Sequence, residues 1–498
     1  MAEKKINFVI YDFETSGRSP RFDQILQAGM IIYDSKLKEV EKVNLRSRIN
    51  PDIIPSINAL KVNRLTISDL LCQKDSSYEM TTKLQKIFSK HSPAIFCGYN
   101  SISFDEEFLR QGLWETFFYP YLTTSNNNLR GDILNLARMV HAFDPKCFNV
   151  EKNDEGKFGF KLEDLSRINN FQINNSHEAI SDVMATKNIL EIIKNNSINL
   201  FNVFMENTSK HKLGSKIRNE NFFTLYASYY GKHFIYLLSY LIDHPIYKDN
   251  LLAFDLKFEP EEIVELSLDD LRKVFYSKNK KFFRKIKINK QPQILNFKHA
   301  LSVEPYHNIS EENLKKKRKI LNDDEFKKKI KKILEEEAES YTTNKSQEVL
   351  FDEDTIYSQN FPFTDKQLME DYNHVDWSKR WVIAEKFKDK RLRYFSAKHI
   401  FRTHPNILPQ KIFIYLHQKI SERLNTIEKR DFTTIPAAIQ EADELGLDLE
   451  KDDNYFQKKQ LEQYNIYIDF LNDYYSYKNK SPKPINFDGD LSKKLYNE

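Results

Sequence analysis

The order of hydrophobic and polar positions divides this chain into three parts. The first part alternates short apolar runs with longer segments in which apolar residues recur every three or four positions. Short, bounded runs predict buried strands, and the longer spacing predicts helices with one apolar face. The predicted strands lie at residues 8–15, 27–34, 42–49 and 94–97, and the predicted helices at residues 66–70, 132–140 and 182–193. This mixture predicts an α/β domain over residues 1–200.

The second part begins with a basic linker at residues 207–212 and then changes to aromatic, strand-like stretches. The predicted strands lie at residues 222–230, 232–241, 251–258 and 282–288, with a short helix at residues 268–275. Val, Ile, Tyr and Phe favour strands because their side chains pack well on a pleated surface. We therefore expect a small β-rich domain over residues 201–350, which ends in a helical extension at residues 311–339.

The third part has helical spacing only. It follows residues 340–354, a polar stretch without periodicity that we interpret as a linker. Two apolar stripes with spacings of three and four then run through residues 413–424 and 461–475. This spacing places the apolar side chains on one face of a helix. We expect a helical domain over residues 355–498.

Length and charge limit the possible functions only weakly. A chain of 498 residues is too long for one core and suggests several domains. The 76 basic and 72 acidic side chains leave a net charge of +4, so any nucleic-acid surface must be local. Lysine runs at residues 315–318 and 327–332 are more typical of solvated helix faces than of DNA contacts.

Cysteine usage and the apolar runs predict a cytoplasmic protein. Cys72, Cys97 and Cys147 lie far apart without zinc-binding spacing, which favours reduced thiols in a reducing compartment. The first predicted strand follows residues 1–5 directly, which leaves no room for a signal peptide. No apolar run approaches the roughly 18 residues that a membrane span requires. We therefore expect a soluble protein without a membrane partner.

The first predicted strand ends in two carboxylates, Asp12 and Glu14, one residue apart. Side chains on a strand alternate between faces, so these two acids point to the same side. Two acids held side by side in apolar surroundings repel each other unless a divalent cation lies between them. An isolated Asp-x-Glu is a weak signal, because the pattern occurs by chance in most chains of this size.

Two further motifs strengthen the signal. Asp105 follows a predicted strand and the turn at Gly98, and Asp182 opens a helix with His177 five positions before it. Five positions on a helix place two side chains roughly 140° apart, so His177 belongs to the preceding loop or the first turn. Each residue also has an ordinary interpretation: Asp105 as an acid favoured at a helix N-terminus, His177 as a capping or surface residue.

In this order, Asp12, Glu14, Asp105, His177 and Asp182 resemble the DEDDh branch of the 3′-to-5′ exonucleases. Four stretches sharpen the likeness to the bacterial exodeoxyribonuclease I family: residues 11–15, 98–105, 160–163 and 177–186. Residues 210–213 and 288–290 also resemble that family. The likeness is strongest over residues 1–215.

This resemblance implies a fold and an activity. The implied fold is a ribonuclease-H-like exonuclease domain with a mixed sheet, then a Src-homology-3-like β-barrel and an all-helical C-terminal domain. The implied activity is processive degradation of single-stranded DNA from the 3′ end to 5′-mononucleotides with Mg²⁺, in DNA repair and recombination. Mn²⁺ is expected to substitute for Mg²⁺. The resemblance also implies binding to the acidic C-terminal tail of the single-stranded DNA-binding protein, and we expect a monomer.

The chemistry of phosphodiester hydrolysis agrees with these residues. Two Mg²⁺ ions roughly 4 Å apart lower the pKa of a water and hold the leaving oxygen. Hard cations prefer carboxylates, which Asp12, Glu14, Asp105 and Asp182 would supply. His177 titrates in the range needed to accept the proton of the water. By resemblance, Glu14 also contacts the sugar of the terminal nucleotide.

The substrate contacts depend more on the family pattern. Lys161 stands where the family usually has an arginine, so the charge is kept but the bidentate fork is lost. Arg110, Tyr121 and Lys210 are candidates for the DNA path, because phosphates need cations and unpaired bases stack on rings. Surface charge for Arg110 and Lys210, and core packing for Tyr121, are the alternatives. The family's tryptophan beyond Tyr121 is missing, since residues 122–125 read Leu-Thr-Thr-Ser.

Two other functions remain open at this point. A proofreading or oligoribonuclease-type exonuclease of the same superfamily would share the acids, but such enzymes usually need only the first domain. A catalytically inactive single-strand binding protein would keep the groove without turnover, although the intact acids argue against it. The sequence favours a processive single-strand 3′-to-5′ DNA exonuclease.

Overall fold

The apolar run that opens the chain forms the central strand of a mixed sheet. The computed structural model describes residues 6–171, 178–344, 351–358, 360–449, 454–477, 479 and 481–496. The strands of this sheet are β1 (Asn7–Thr15), β2 (Ile25–Tyr33), β3 (Glu39–Arg46), β4 (Ala94–Gly98) and β5 (Leu129–Asp132). Their order is β3-β2-β1-β4-β5, with antiparallel β1–β2 and β2–β3 pairs and parallel β1–β4 and β4–β5 pairs.

Helices cover both faces of this sheet because its central strand is apolar on both sides. Phe8 and Ile10 face one layer, and Val9 and Tyr11 face the other. The helices are α1 (Ile57–Asn63), α2 (Ile67–Leu71), α3 (Ser77–Lys90), α4 (Asp105–Glu115), α5 (Ile133–Phe143), α6 (Leu162–Ile168), α7 (Ala179–Asn196) and α8 (Ile198–Asn207). The α5, α7 and α8 helices pack on one face, and α3 and α4 on the other.

The second part is β-rich, as predicted, but its antiparallel sheet has five strands instead of the four predicted ones. It contains α9 (Lys210–Asn219), β6 (Phe223–Tyr229), β7 (Lys232–Asp243), β8 (Asn250–Asp255), α10 (Leu268–Phe275), β9 (Phe283–Lys287), β10 (Gln293–Asn296), α11 (Glu311–Leu321) and α12 (Asp324–Asn344). The strand order is β10-β6-β7-β8-β9. The predicted basic linker at residues 207–212 is wrong, because the Ser209 side chain accepts a hydrogen bond from the backbone N–H of Lys212 and starts α9.

The third part contains helices but no strand within the described residues. Its helices are α13 (Phe363–His374), α14 (Trp377–Ala384), α15 (Lys390–Thr403), α16 (Gln410–Leu424), α17 (Ile435–Leu449), α18 (Tyr455–Tyr474) and α19 (Phe487–Tyr496). Its core also includes side chains of the first part, since Leu60 and Ile67 pack with Ile400 and Tyr464. No helix within the described ranges is both long and apolar enough to cross a bilayer.

The proposed domain boundaries stay predictions, but packing refines one of them. Phe201 and Phe204 of α8 lie in the core of the first sheet. Helix α8 therefore belongs with the first part by its contacts, although the predicted boundary at residue 200 divides it. We propose that this boundary follows Asn207.

A buried charge cluster joins the first and third parts. The carboxylate of Asp52, 1% exposed, accepts hydrogen bonds from Arg402 Nε at 2.6 Å and from Arg423 Nη2 at 3.0 Å. Burial alone would raise the pKa of Asp52, but Arg402, Arg423 and Lys398 together outweigh it and hold the pKa well below its ordinary value. The Lys398 ammonium of α15 likewise lies 3.5 Å from Glu115 of α4, and it also pairs with Glu353 at 2.6 Å. The contacts to Asp52 and Glu115 hold α15 and α16 against the first part.

The cluster predicts a large stability cost for removing one charge. Asp52→Asn leaves two buried guanidinium groups without their anion, which should cost about 3 kcal/mol of unfolding free energy. Chemical denaturation followed by circular dichroism measures this loss. Asp473→Asn is the control, because Asp473 forms an exposed pair with Lys494 and should change stability by less than about 0.5 kcal/mol. Equal stability of the two variants would contradict the assigned role of the cluster.

Candidate active site

Three carboxylates converge where β1 leaves the sheet. Asp12 and Glu14 lie on the same side of the strand, opposite Gly29 and Gln27 of β2. Asp182 lies in the first turn of α7. Carboxylate oxygens of Asp12, Glu14 and Asp182 all lie within 4.8 Å of one another. The structure therefore brings together three of the four predicted acids in one compact cluster.

Gly29 explains how α7 reaches the strand. A Cβ atom at this position would lie 2.6 Å from the carbonyl carbon of Ala179 and 2.7 Å from the backbone nitrogen of Ile180. Both are backbone atoms of α7, so they cannot move aside as a flexible side chain can. The missing side chain lets the start of α7 pack directly on β2, and this packing carries Asp182 to Asp12.

Asp105 is bonded to the backbone of the same strand. Its Oδ1 accepts a hydrogen bond of 2.8 Å from the backbone N–H of Phe13, between Asp12 and Glu14. The close turn at Gly98 makes this possible, because a Cβ atom there would lie 2.5 Å from the carbonyl oxygen of Tyr11. The structure thus places Asp105 beside the compact cluster, and one of its carboxylate oxygens accepts this backbone hydrogen bond.

Burial and mutual repulsion make the charged state of this cluster unfavourable. Burial raises the pKa of Asp12 well above its ordinary value, and the nearby carboxylates of Asp105, Glu14 and Asp182 raise it further. Burial and the carboxylate of Asp182 raise the pKa of Glu14 to about 8. Burial also raises the pKa of Asp105 to about 8, although the N–H of Phe13 opposes it. A hard divalent cation fits this donor set, because it would neutralise the charge and bind carboxylate oxygens.

A buried glutamate, which the sequence analysis missed, supports the strand from behind. Glu106 is 0% exposed and accepts hydrogen bonds from the Tyr11 hydroxyl at 3.0 Å and from Arg130 at 3.0 Å. Tyr11 precedes Asp12, so this network fixes the acidic end of β1. Glu106 is visible in the sequence as the second acid after Phe104. Nothing in the local pattern indicated that it is buried or that Arg130 is its partner.

Two of the predicted DNA-path residues contact each other. The guanidinium of Arg110 lies 5.4 Å from the centre of the Tyr121 ring and pairs with Glu106 and Glu107 at 3.3 Å. The alternative of free surface charge does not apply to Arg110, because the side chain is held by these two acids. Tyr121 is 36% exposed, too much for a core residue. Their binding roles stay predictions.

The other predicted site residues lie outside the acidic cluster. Lys161 is exposed just before α6, and Lys210 is exposed and pairs with Asp249 at 3.0 Å. His177 lies outside the described residues, so its predicted role rests on the sequence.

Comparisons with known proteins agree with this geometry. The family model described as Exonuclease matches residues 9–190, and the model described as Exonuclease I SH3-like domain matches residues 209–336. The exodeoxyribonuclease I of Haemophilus influenzae is 26% identical over 427 residues, which cover 80% of this chain and 88% of the relative. The exodeoxyribonuclease I of Buchnera aphidicola subsp. Acyrthosiphon pisum is 31% identical over 260 residues, which cover 51% of this chain and 63% of the relative.

Solved structures share the whole architecture. Exonuclease I of Escherichia coli in complex with a dA16 oligonucleotide has a TM-score of 0.76 at 21% identity, covering 94% of this chain and 100% of the other. An ExoI/SSB-Ct complex has a TM-score of 0.76 at 20% identity with the same coverage. These likenesses support the predicted ribonuclease-H-like, SH3-like and helical arrangement. With an Exonuclease domain followed by an Exonuclease I SH3-like domain, the chain is similar to bacterial exonuclease I proteins along most of its length.

Proposed function

We propose that this protein is a 3′-to-5′ exonuclease that degrades single-stranded DNA to 5′-mononucleotides. The observation that carries this proposal is the convergence of Asp12, Glu14 and Asp182, whose oxygens lie within 4.8 Å of one another at the end of the central strand β1. Such a cluster is costly unless it binds a cation. A protein that shared only the fold of these nucleases would not need three converging acids.

The metal that we propose is Mg²⁺, as a pair of ions. When bound, the pair supplies a water of lowered pKa and neutralises charge on the attacked phosphate and the leaving oxygen. Asp12, Glu14 and Asp182 would hold the metal through hard oxygen ligands. Asp105 would act with them while its other oxygen accepts the N–H of Phe13, which keeps the spacing of Asp12 and Glu14 fixed. Mn²⁺ has the same ligand preference and is expected to substitute.

His177 is our candidate for the general base. In the sequence it precedes Ala179, where α7 begins, by two positions, and the first turn of α7 carries Asp182. A histidine side chain ordinarily titrates near neutral pH, which suits acceptance of a proton from water. We assign Glu14 the second task of binding the sugar of the terminal nucleotide, since Glu14 also lines the open cleft beside the cluster.

The relatives support single-stranded DNA as the substrate. Exonuclease I of Escherichia coli was solved with a dA16 oligonucleotide, and this chain has the same three-part architecture. A proofreading or oligoribonuclease-type enzyme would not need the second and third parts, which together include more than half of the chain. Along the DNA path we propose Arg110 and Tyr121, with Lys161 and Lys210 as phosphate contacts.

The proposed partners and cellular role follow from the family. The ExoI/SSB-Ct complex supports an interaction with the C-terminal tail of the single-stranded DNA-binding protein. We further propose processive action by a monomer in DNA repair and recombination in the cytoplasm. A catalytically inactive binding protein would not need to keep the acidic cluster intact.

The polarity and substrate are tested with end-labelled oligonucleotides and Mg²⁺. A 3′-labelled single strand should release labelled mononucleotides at once, and a 5′-labelled strand should release its label only at the end of digestion. RNA and duplex DNA of the same sequence should react more slowly. Asp182→Ala should bind the strand without cleaving it, which controls for a contaminating nuclease. Early release of the 5′ label would overturn the proposed polarity.

The packing at Gly29 predicts a remote loss of activity. Gly29→Ala would push the start of α7 away from β2 and move Asp182, and a displacement of about 1 Å costs about a hundredfold in rate. The expected change is in kcat, measured with saturating DNA, while binding of the strand is retained. Gly112→Ala is the matched control, because its new Cβ would meet only the Thr81 side chain, at 3.5 Å. Full activity of Gly29→Ala would refute this account of the site.

A further inference from the structure

A deep cleft of about 940 Å³ opens beside the acidic cluster. One wall belongs to the nuclease domain and includes Glu14, Arg18 and the α1 residues Asn58, Val62 and Asn63. The opposite wall belongs to the helical domain, where residues 427–434, Pro436, Ala437, Gln440 and Glu441 line the cleft. We call residues 427–440 the outer wall. One residue of the acidic cluster, Glu14, therefore lines a cleft between two domains.

Residues near the middle of the outer wall contact the nuclease domain. Asp431 pairs with Arg21 at 2.5 Å and accepts a hydrogen bond of 3.1 Å from the Ser19 hydroxyl. The adjacent Phe432 packs on Phe22, with ring centres 4.6 Å apart. Because Ser19, Arg21 and Phe22 belong to the loop that follows β1, one short loop connects the wall to the strand that carries Asp12 and Glu14.

Most charged side chains in the cleft have a polar or charged partner, but two cations do not form ion pairs within the part of the chain that the structure describes. Asp23 accepts from Ser16 and Ser19, Asp431 is paired with Arg21, and Glu428 is paired with Arg430. The other two acids of the lining are Glu441, which accepts from the Ser56 hydroxyl at 3.4 Å, and Glu14 of the acidic cluster. Among the described residues, neither Arg18 nor Lys429 forms an ion pair. The two cations line the same cleft from opposite domains. A polyanion that enters the cleft would find these two groups available.

We propose that the outer wall encloses the terminal nucleoside of the single strand and that Lys429, with Arg18, binds this end of the DNA. The inference rests on the proposed function and adds a role for the helical domain at the reacting end. Lys429 is a positioning residue, since it contributes binding energy and does not touch the reacting atoms.

The chemistry of the cleft suits a nucleoside. Its volume lies within the range of about 300–1,000 Å³ that is usual for small-molecule sites. Val62, 50% exposed, and Ile427, 90% exposed, offer apolar surface to a base. The amides of Asn58 and Gln440 offer donors and acceptors to its edge. Because Glu14 lines the same cleft, a nucleoside held here would have its sugar beside the acidic cluster.

The test compares KM, kcat and the salt dependence of binding between the wild-type protein and Lys429→Ala. Each is measured on a short and on a long single strand. A trinucleotide occupies only the region near the acids, whereas a long strand also covers the rest of the DNA path. We expect KM to rise about fivefold on both substrates with kcat unchanged, and the salt dependence of binding to decrease by about one counterion. Lys411→Ala is the matched control, because Lys411 is an exposed lysine of the helical domain outside the cleft.

The outcomes separate this inference from the proposed function. A rise in KM on the trinucleotide that Lys411→Ala does not share would support the outer wall as the terminal site. A rise on the long strand alone would overturn it, because Lys429 would then act farther along the DNA. Unchanged KM and salt dependence on both substrates would also overturn it. Failure of the wild-type protein to release mononucleotides would refute the proposed function itself.

Discussion

The repulsion among Asp12, Glu14 and Asp182 is the constraint on which this structure depends. The fold holds three partly buried carboxylates within 4.8 Å of one another, although burial and their mutual repulsion disfavour the charged state. Two close backbone approaches make this possible. Gly29 admits the start of α7 to the sheet, and Gly98 lets the chain turn so that Asp105 bonds to Phe13. The cost of holding the acids together is the physical reason to expect a divalent cation.

The helical domain matters because it forms one wall of the cleft beside these acids. The helical domain does not have a separate core, since Ile400 and Tyr464 pack with Leu60 and Ile67 of the nuclease domain. Asp52 adds a buried charge cluster to this apolar contact. Such an interface holds the outer wall in place beside the acidic cluster. The cleft that we propose for the 3′ end of the DNA therefore depends on this interface.

The sequence predicted the elements with strong local signals. The strand that ends in Asp12 and Glu14 is confirmed, and so are four strands of the second domain, β6 to β9, because their apolar patterns are clear from the local sequence. Strand β5 was missed, since its sequence Leu-Arg-Gly-Asp has no apolar periodicity and pairs only because β4 lies beside it. Helix α9 was taken for a linker because its lysines concealed the Ser209 cap.

In the candidate site too, residues with a local sequence pattern were predicted and residues that depend on distant partners were not. Its acids were found in sequence because their order matches a known pattern, whereas Glu106 and the outer wall depend on partners far away in the chain. No local signal connects Arg21 with Asp431, or Tyr11 with Arg130 through Glu106. The family resemblance supplied the architecture, and only the folded structure revealed which side chains meet across domains.

The central claim is that the clustered acids are a metal site, and the most direct measurement is anomalous diffraction from crystals soaked in Mn²⁺. The account predicts anomalous density bonded to the carboxylates of Asp12 and Asp182, and no such density in an Asp12→Asn variant. Well-ordered acids without anomalous density at saturating Mn²⁺ would contradict it.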